Sequence, residues 1–255
     1  MDTLRIVSLM SDNQIIFCEQ LTFYLGQRLG ITAELITEPH WQEREHLLDT
    51  GDVQVGWICG LQFARKRLSN PDHLELLAAP VMSNPRYGQR PVYFSDVIVH
   101  SDSPFTKFEQ LRDTSWAFNE PGSHSGVNIV RQSLANMGND ERFFGRAIET
   151  GSHLNAIDAV VNGLADWAAI DSTAFDVAVA EKPVLRQSLR VIAQLGPSPM
   201  PPLVVTTAVP ATTRHAMRSI LLGMENCESG RTILSNAYML KMATVWPEDY
   251  MSLVF

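Results

Sequence analysis

Cysteine is scarce in this 255-residue chain: Cys18, Cys59 and Cys227 stand apart, with no CxxC spacing. That excludes a disulfide framework and a cysteine zinc site, and leaves three core thiols. Seven histidines occur without HxH or HExxH spacing, so no metal is expected. Walker A and GxGxxG are both missing, and no cofactor is expected. No apolar run approaches 18 residues, which excludes a membrane span. Basic residues are also in deficit: 20 Lys and Arg face 28 Asp and Glu, a net charge of -8, and no basic run appears. A nucleic-acid partner is therefore excluded, and any bound anion must be held by local donors rather than by a general positive field. The opening MDTLRIVSLMSDNQ carries no basic segment followed by a long apolar one. The chain as given reads as cytoplasmic, or as periplasmic or extracytoplasmic if a leader has been removed.

What is present is an ordinary globular balance, 45% hydrophobic and 19% charged, enough for one large domain or two lobes of about 100 to 150 residues. LRIVSLM, ITAELIT and DVQVGWICG read as strands, with helices through QIIFCEQLTFYLGQRLG and WQEREHLLDTG between them. Such βαβαβ alternation implies a mainly parallel sheet flanked by helices. LELLAAPVM and PVYFSDVIVH follow as strands without a helix between them, a place for the chain to cross between lobes. DSPFTKFEQLRD reads as a short surface helix capped by Asp102 or Ser103. WAFN and DWAAID read as strands, and SGVNIVRQSLANMG and HLNAIDAVVNGLA as helices, which makes a second α/β series. LRVIAQLGPSPMPPLVV holds two strand-like runs around four prolines and can return the chain to the first lobe. TRHAMRSILLGM and SGRTILSNAYML read as closing helices. The expected domains are lobe 1, residues 1–94 plus 205–255, and lobe 2, residues 95–204.

Two helix starts in the second series stand out. In FNEPGSHSGVNIV, glycines beside Ser123, His124 and Ser125 permit close backbone approach, and a helix N-terminus offers unpaired N–H groups to an anion. The same pattern also fits an ordinary serine cap. GSHSG is superficially similar to the GxSxG nucleophile elbow, but its central residue is His124, so that motif fails. In ETGSHLNAIDAVVNGLADWAAIDS, Leu154, Ile157, Val160, Val161 and Leu164 read as one apolar face. His153 then falls in the first turn behind a Ser152 cap.

The blocks YFSDVIVHSDSPFTKFEQLRDTSWAFNEPGSHSG, GSHLNAIDAVVNGLADWAAIDS and SPMPPLVV, in that order and spacing, resemble the substrate-binding proteins of phosphate, phosphite and phosphonate ABC transporters, over roughly residues 50 to 210. The resemblance implies a two-lobed periplasmic-binding-protein fold of type II, each lobe α/β, with a ligand cleft between the lobes. It implies a binding protein rather than an enzyme, with a small oxyanion as ligand and an ABC permease as partner. Carried over residue by residue, the family's serine-rich cradle falls on Ser123, His124, Ser125 and Gly126, and its helix-start histidine on His153. Its crossing-strand tyrosine falls on Tyr93, and its strand-end polar contacts on Asp171 and Ser172. The first-lobe wall falls near Trp57 and Cys59. Two departures are visible: His124 replaces the usual hydroxyl residue in the middle of the cradle, and Trp57 is followed by Ile58 rather than tyrosine. The alternative is a cytosolic enzyme or effector-sensing module of the same fold acting on a small carboxylated metabolite, with His124 or Asp171 as acid/base candidates.

Overall fold

The structure, a computed structural model, describes residues 3–10, 14–38 and 40–254. Residues 1, 2 and 11–13, part of the opening stretch read above for a leader, lie outside the described residues. Two units divide the chain: Met1–Val92 with Pro199–Phe255, and Tyr93–Ser198. Elements are numbered in chain order through both.

The first unit opens with β1 (Thr3–Ser8), α1 (Ile15–Leu29), β2 (Thr32–Ile36), α2 (Trp41–Thr50), β3 (Val55–Trp57), α3 (Gly60–Ser69) and β4 (Leu74–Met82). Helix α1 buries Phe17, Cys18, Leu21, Tyr24 and Leu25, the helical spacing of one face. It stops at Gly30, whose φ of 69° suits glycine and lets its N–H reach the Gln27 carbonyl.

After the second unit the chain returns as β10 (Leu203–Thr206), α8 (Ala211–Leu222), α9 (Glu228–Asn236), β11 (Met239–Ala243) and α10 (Pro247–Met251). The sheet order is β11-β4-β10-β3-β1-β2. Strand β1 runs parallel to β2 and β3, whereas β10 is antiparallel to both β3 and β4, and β11 is antiparallel to β4. The expectation of a mainly parallel sheet is thereby corrected to a mixed one. Strand β10 reaches the sheet from the second unit rather than over a crossover helix, so nothing obliges it to run parallel. The closing helix expected through SGRTILSNAYML is also shorter than read. Tyr238, at φ 56°, ends it, and Met239–Ala243 pairs with β4 instead.

The second unit contains β5 (Val92–His100), β6 (Ser115–Phe118), α4 (Ile129–Asn136), β7 (Arg146–Glu149), α5 (His153–Val161), β8 (Trp167–Asp171), α6 (Ser172–Glu181), α7 (Leu185–Ser188) and β9 (Leu189–Pro199). Its sheet, in the order β7-β6-β8-β5-β9, is again mixed: β6 is parallel to β7 and β8, and β5 is antiparallel to β8. The central strands are apolar on both sides because both faces are covered. Ile98, Ala168 and Ile170 pack with Ile157 and Val160 of α5 and Phe175 of α6. On the opposite face Val97, Val99, Trp116 and Trp167 pack with Val130 and Leu134 of α4. Trp116 and Trp167 stack there at 5.5 Å and 7°.

The surface helix expected at DSPFTKFEQLRD is reduced to a 3-10 turn, Phe108–Leu111. Only Phe108 and Leu111 anchor it to the core, and Gln110 Oε1 caps it by accepting from the N–H groups of Thr106 and Lys107. Ser103 caps no helix; its Oγ accepts from the Phe105 N–H, a local turn.

Candidate functional site

Strand β6 ends at Phe118, and the chain passes through Asn119 to Gly122 before turning into helix at Ser123. The first helical stretch, His124–Asn128, is a π turn rather than an α turn. Its cause is local. The hydroxyl of Ser95, on β5, donates to the Ser125 carbonyl at 2.6 Å, the carbonyl that an α ladder would offer to Ile129. The Ile129 N–H bonds the His124 carbonyl instead, and the Asn128 N–H bonds the Ser123 carbonyl at 3.0 Å. Ser123 Oγ accepts from the Gly126 N–H at 3.0 Å and keeps its own proton free to donate. The N–H groups of His124 and Ser125 precede the first rung of this ladder, where helix starts leave donors without intrahelical partners. Single π turns of this kind recur at functional sites.

The second helix start meets the first. Ser152 caps α5 by accepting from the Asn155 N–H at 3.1 Å. The buried face of α5 is His153, Ala156, Ile157 and Val160, an i, i+3, i+4, i+7 set. Leu154 and Leu164, expected on that face, are 45% and 67% exposed. The face is rotated by about one position from the one read in the sequence, and that rotation turns His153 inward. His153 Nε2 lies 3.2 Å from Ser125 Oγ. Its Nδ1 is buried without a partner, as is Asn119 Oδ1.

Burial sets the charge of both histidines. It pushes His124 and His153 down to about 4, so both imidazoles are neutral at neutral pH. His124 Nε2 is 2.9 Å from Ser198 Oγ, its Nδ1 is 3.2 Å from Asn128 Nδ2, and its ring meets Tyr93 edge-on at 6.4 Å.

Gly126 is demanded by its surroundings. A Cβ there would lie 2.0 Å from Asn119 Oδ1 and 3.2 Å from Ser123 Oγ. Gly126→Ala is expected to destabilise the protein by about 1–3 kcal/mol, the usual cost of forcing atoms into a packed site. Asn119→Ala in the same chain should recover most of that loss. Urea unfolding of the two single variants and the double checks it; a Gly126→Ala variant as stable as the parent would mean the junction is loosely packed.

The remaining candidates have other commitments. Asp171 caps α6, its Oδ1 accepting from the N–H and the hydroxyl of Thr173 at 2.8 and 2.7 Å. Ser172 Oγ accepts from the Phe94 N–H at 2.9 Å. Trp57 and Cys59 belong to the first unit. Trp57 is buried, its ring edge-on to Phe17 and its N–H donated to the Pro201 carbonyl at 3.0 Å. Cys59 starts α3 in a capping box with Gln62. Ser95, Asn119, Asn128 and Ser198 are not among the residues that the sequence singles out. Ser95 is the one with a signal, a lone serine inside a largely apolar strand. Among the described residues no cluster of His, Cys, Asp or Glu could hold a metal, and no helix is long and apolar enough to cross a membrane.

The family of periplasmic substrate-binding proteins of phosphonate ABC transporters matches residues 13–250. This chain belongs to that family. Its members are binding components of transporters rather than enzymes, so the chain is a solute-binding protein and the enzyme reading is set aside. Its fold is the two-lobed type II fold of such proteins, each unit a mixed sheet flanked by helices. PhnD1 from Prochlorococcus marinus (MIT 9301), solved in complex with methylphosphonate, aligns over 99% of this chain and 96% of its own at 16% identity, with a TM-score of 0.84. The binding protein component of a phosphonate ABC transporter from Pseudomonas aeruginosa aligns over 98% and 83% at 18% identity, with a TM-score of 0.81. A Xanthomonas citri protein bound to ATP aligns over 99% and 94% at 19% identity, with a TM-score of 0.77. No curated protein matches this sequence.

Proposed function

We propose that this phosphonate-family binding protein captures a small phosphorus oxyanion, a phosphonate, phosphite or phosphate-like compound, at the paired helix starts of its second unit and delivers it to an ABC permease outside the cytoplasm. The observation that carries the reading is the 3.2 Å contact between Ser125 Oγ and His153 Nε2, which brings the two starts to one point. The hydroxyls of Ser123 and Ser125 and the main-chain N–H groups of His124 and Ser125 are the donors for the oxyanion, strengthened by its charge. His153 orients Ser125 from behind, and Gly126 keeps the turn compact. Tyr93 and Asp171 shape the surroundings of the cradle rather than grip the anion. Trp57 and Cys59 hold local structure in the first unit and are assigned no donor role. The methylphosphonate and the ATP held by two proteins of the same fold are both phosphorus oxyanions, which supports this ligand class.

Isothermal titration calorimetry with methylphosphonate, phosphite, phosphate, a matched sulfonate and a matched carboxylate tests the reading. Binding of at least one phosphorus oxyanion in preference to the carboxylate is expected. A carboxylate bound best, or no heat and no thermal protection from any phosphorus compound, would overturn it.

A further inference from the structure

His124 stands in the middle of the turn 123–126, and its side chain is committed within the second unit. An amide nitrogen only donates, so Asn128 Nδ2, 3.2 Å from Nδ1, makes Nδ1 the acceptor. The ring proton is then on Nε2 and donates to Ser198 Oγ at 2.9 Å. His124 is 2% exposed and Ser198 3%, and burial keeps the ring neutral, so one tautomer is enforced. The two residues that flank the ring have a topological meaning. Tyr93, edge-on to it, is the residue by which the chain enters the second unit, and Ser198 is the residue by which it leaves. The next residue along is tied to the entering strand as well, through the Ser95 hydroxyl on the Ser125 carbonyl.

We propose that His124 is a positioning residue for oxyanion capture: its Nε2–H bond to Ser198 pins the donor-bearing turn 123–126 to the segments through which the chain enters and leaves this unit. The proposal rests on the functional reading above. It assigns the imidazole to the protein side of the cradle and only the main-chain N–H of His124 to the ligand. Ser198, two residues beyond Gly196 and outside both helix starts, thereby controls affinity without touching the anion.

The test is a double-mutant cycle on the full chain with methylphosphonate as the probe. Ser198→Ala is expected to weaken binding about ten-fold, the worth of one buried hydrogen bond. His124→Phe, which keeps a ring against Tyr93, should weaken it at least as much. The double variant should be no worse than His124→Phe alone, because both remove one pin. Ser198→Thr, which keeps the hydroxyl, should bind within about three-fold of the parent, less than the loss of one such bond. A fold lost in a variant does not end the test. Long-range ¹H–¹⁵N spectra of the parent protein should show His124 as a single neutral tautomer protonated at Nε2 from pH 5.5 to 8. Unchanged affinity in Ser198→Ala, losses that multiply in the double variant, or an Nδ1-protonated ring would each overturn the proposal while leaving the functional reading standing. A parent protein that binds no phosphorus oxyanion at all would sink both.

Discussion

A chain carrying Ser125→Ala together with His153→Leu is expected to lose about 10- to 100-fold in oxyanion affinity while remaining folded. Each charge-assisted hydrogen bond to an anion contributes about 1.5–3 kcal/mol, and every 1.4 kcal/mol is ten-fold in binding. The pair is chosen because the two side chains serve each other. Ser125→Ala alone leaves His153, 6% exposed, with both ring nitrogens buried and unpaired, since Nδ1 already has no partner. That single change should cost about 1–3 kcal/mol of stability as an uncompensated buried polar group. Leucine at 153 removes the polar ring, fills most of its volume and suits the inner face of α5 beside Ile157 and Val160. The double variant should therefore be the more stable of the two and bind no more weakly than Ser125→Ala alone, because both changes remove the same donor. Calorimetry with methylphosphonate alongside urea unfolding separates the effects. Undiminished affinity in the double variant would place the anion elsewhere.

The second large effect is a loss of stability in mild acid. His124 and His153 are held down at about 4 in the folded chain, against an ordinary value of 6.5. Between those values the unfolded chain takes up the protons that the folded chain refuses. Stability is therefore whole above about pH 6.5, falls as the pH drops through the unfolded value of each histidine, and levels off once the folded value is passed near 4. Each histidine contributes a loss on the order of 3 kcal/mol over that range, at a limiting slope of about 1.4 kcal/mol per pH unit. The window from pH 6.5 to 5 lies above the ordinary carboxylate range; Glu120, pushed up by burial and by the nearby Glu149, takes its proton more readily folded than unfolded and so opposes the loss rather than adding to it. Urea midpoints across that window should fall for the parent, and His153→Leu should remove one proton from the slope. A flat profile from pH 7 to 5 would mean that the cradle is wet and that these rings titrate normally.

The two α/β series and the two helix starts are legible because periodic apolar runs and serine caps leave strong local signals. Strand direction is not. Whether β10 lies parallel or antiparallel depends on where the chain has been between β4 and its return, which no short window contains. Strand β7 has only four residues and one apolar anchor of any size, Ile148, so it carried no alternation to read. Helix α6 is not legible from its start, because Asp171 reads equally as a polar residue at a strand end and as the cap it is.

At the site, the sequence pointed to Ser123, Ser125 and His153 by their place at helix starts. It could not show how His153 is turned. Counting Leu154 and Leu164 into the apolar face of α5 put His153 at its margin, and only the packing of Ala156, Ile157 and Val160 turns the ring inward toward Ser125. His124 was the harder case. It sits in the motif by position, yet its ring is held by Ser198, 74 residues away in the sequence. A partner at that distance leaves no local trace.

The most direct test of the account is a crystal structure of the protein with methylphosphonate bound. The account predicts the phosphonate oxygens at the turn 123–126, accepting from the Ser123 and Ser125 hydroxyls and from the N–H groups of His124 and Ser125, with the His124 ring still on Ser198. Methylphosphonate bound away from both helix starts, or a turn at 123–126 left empty while the ligand is held by lysine or arginine side chains, would contradict it.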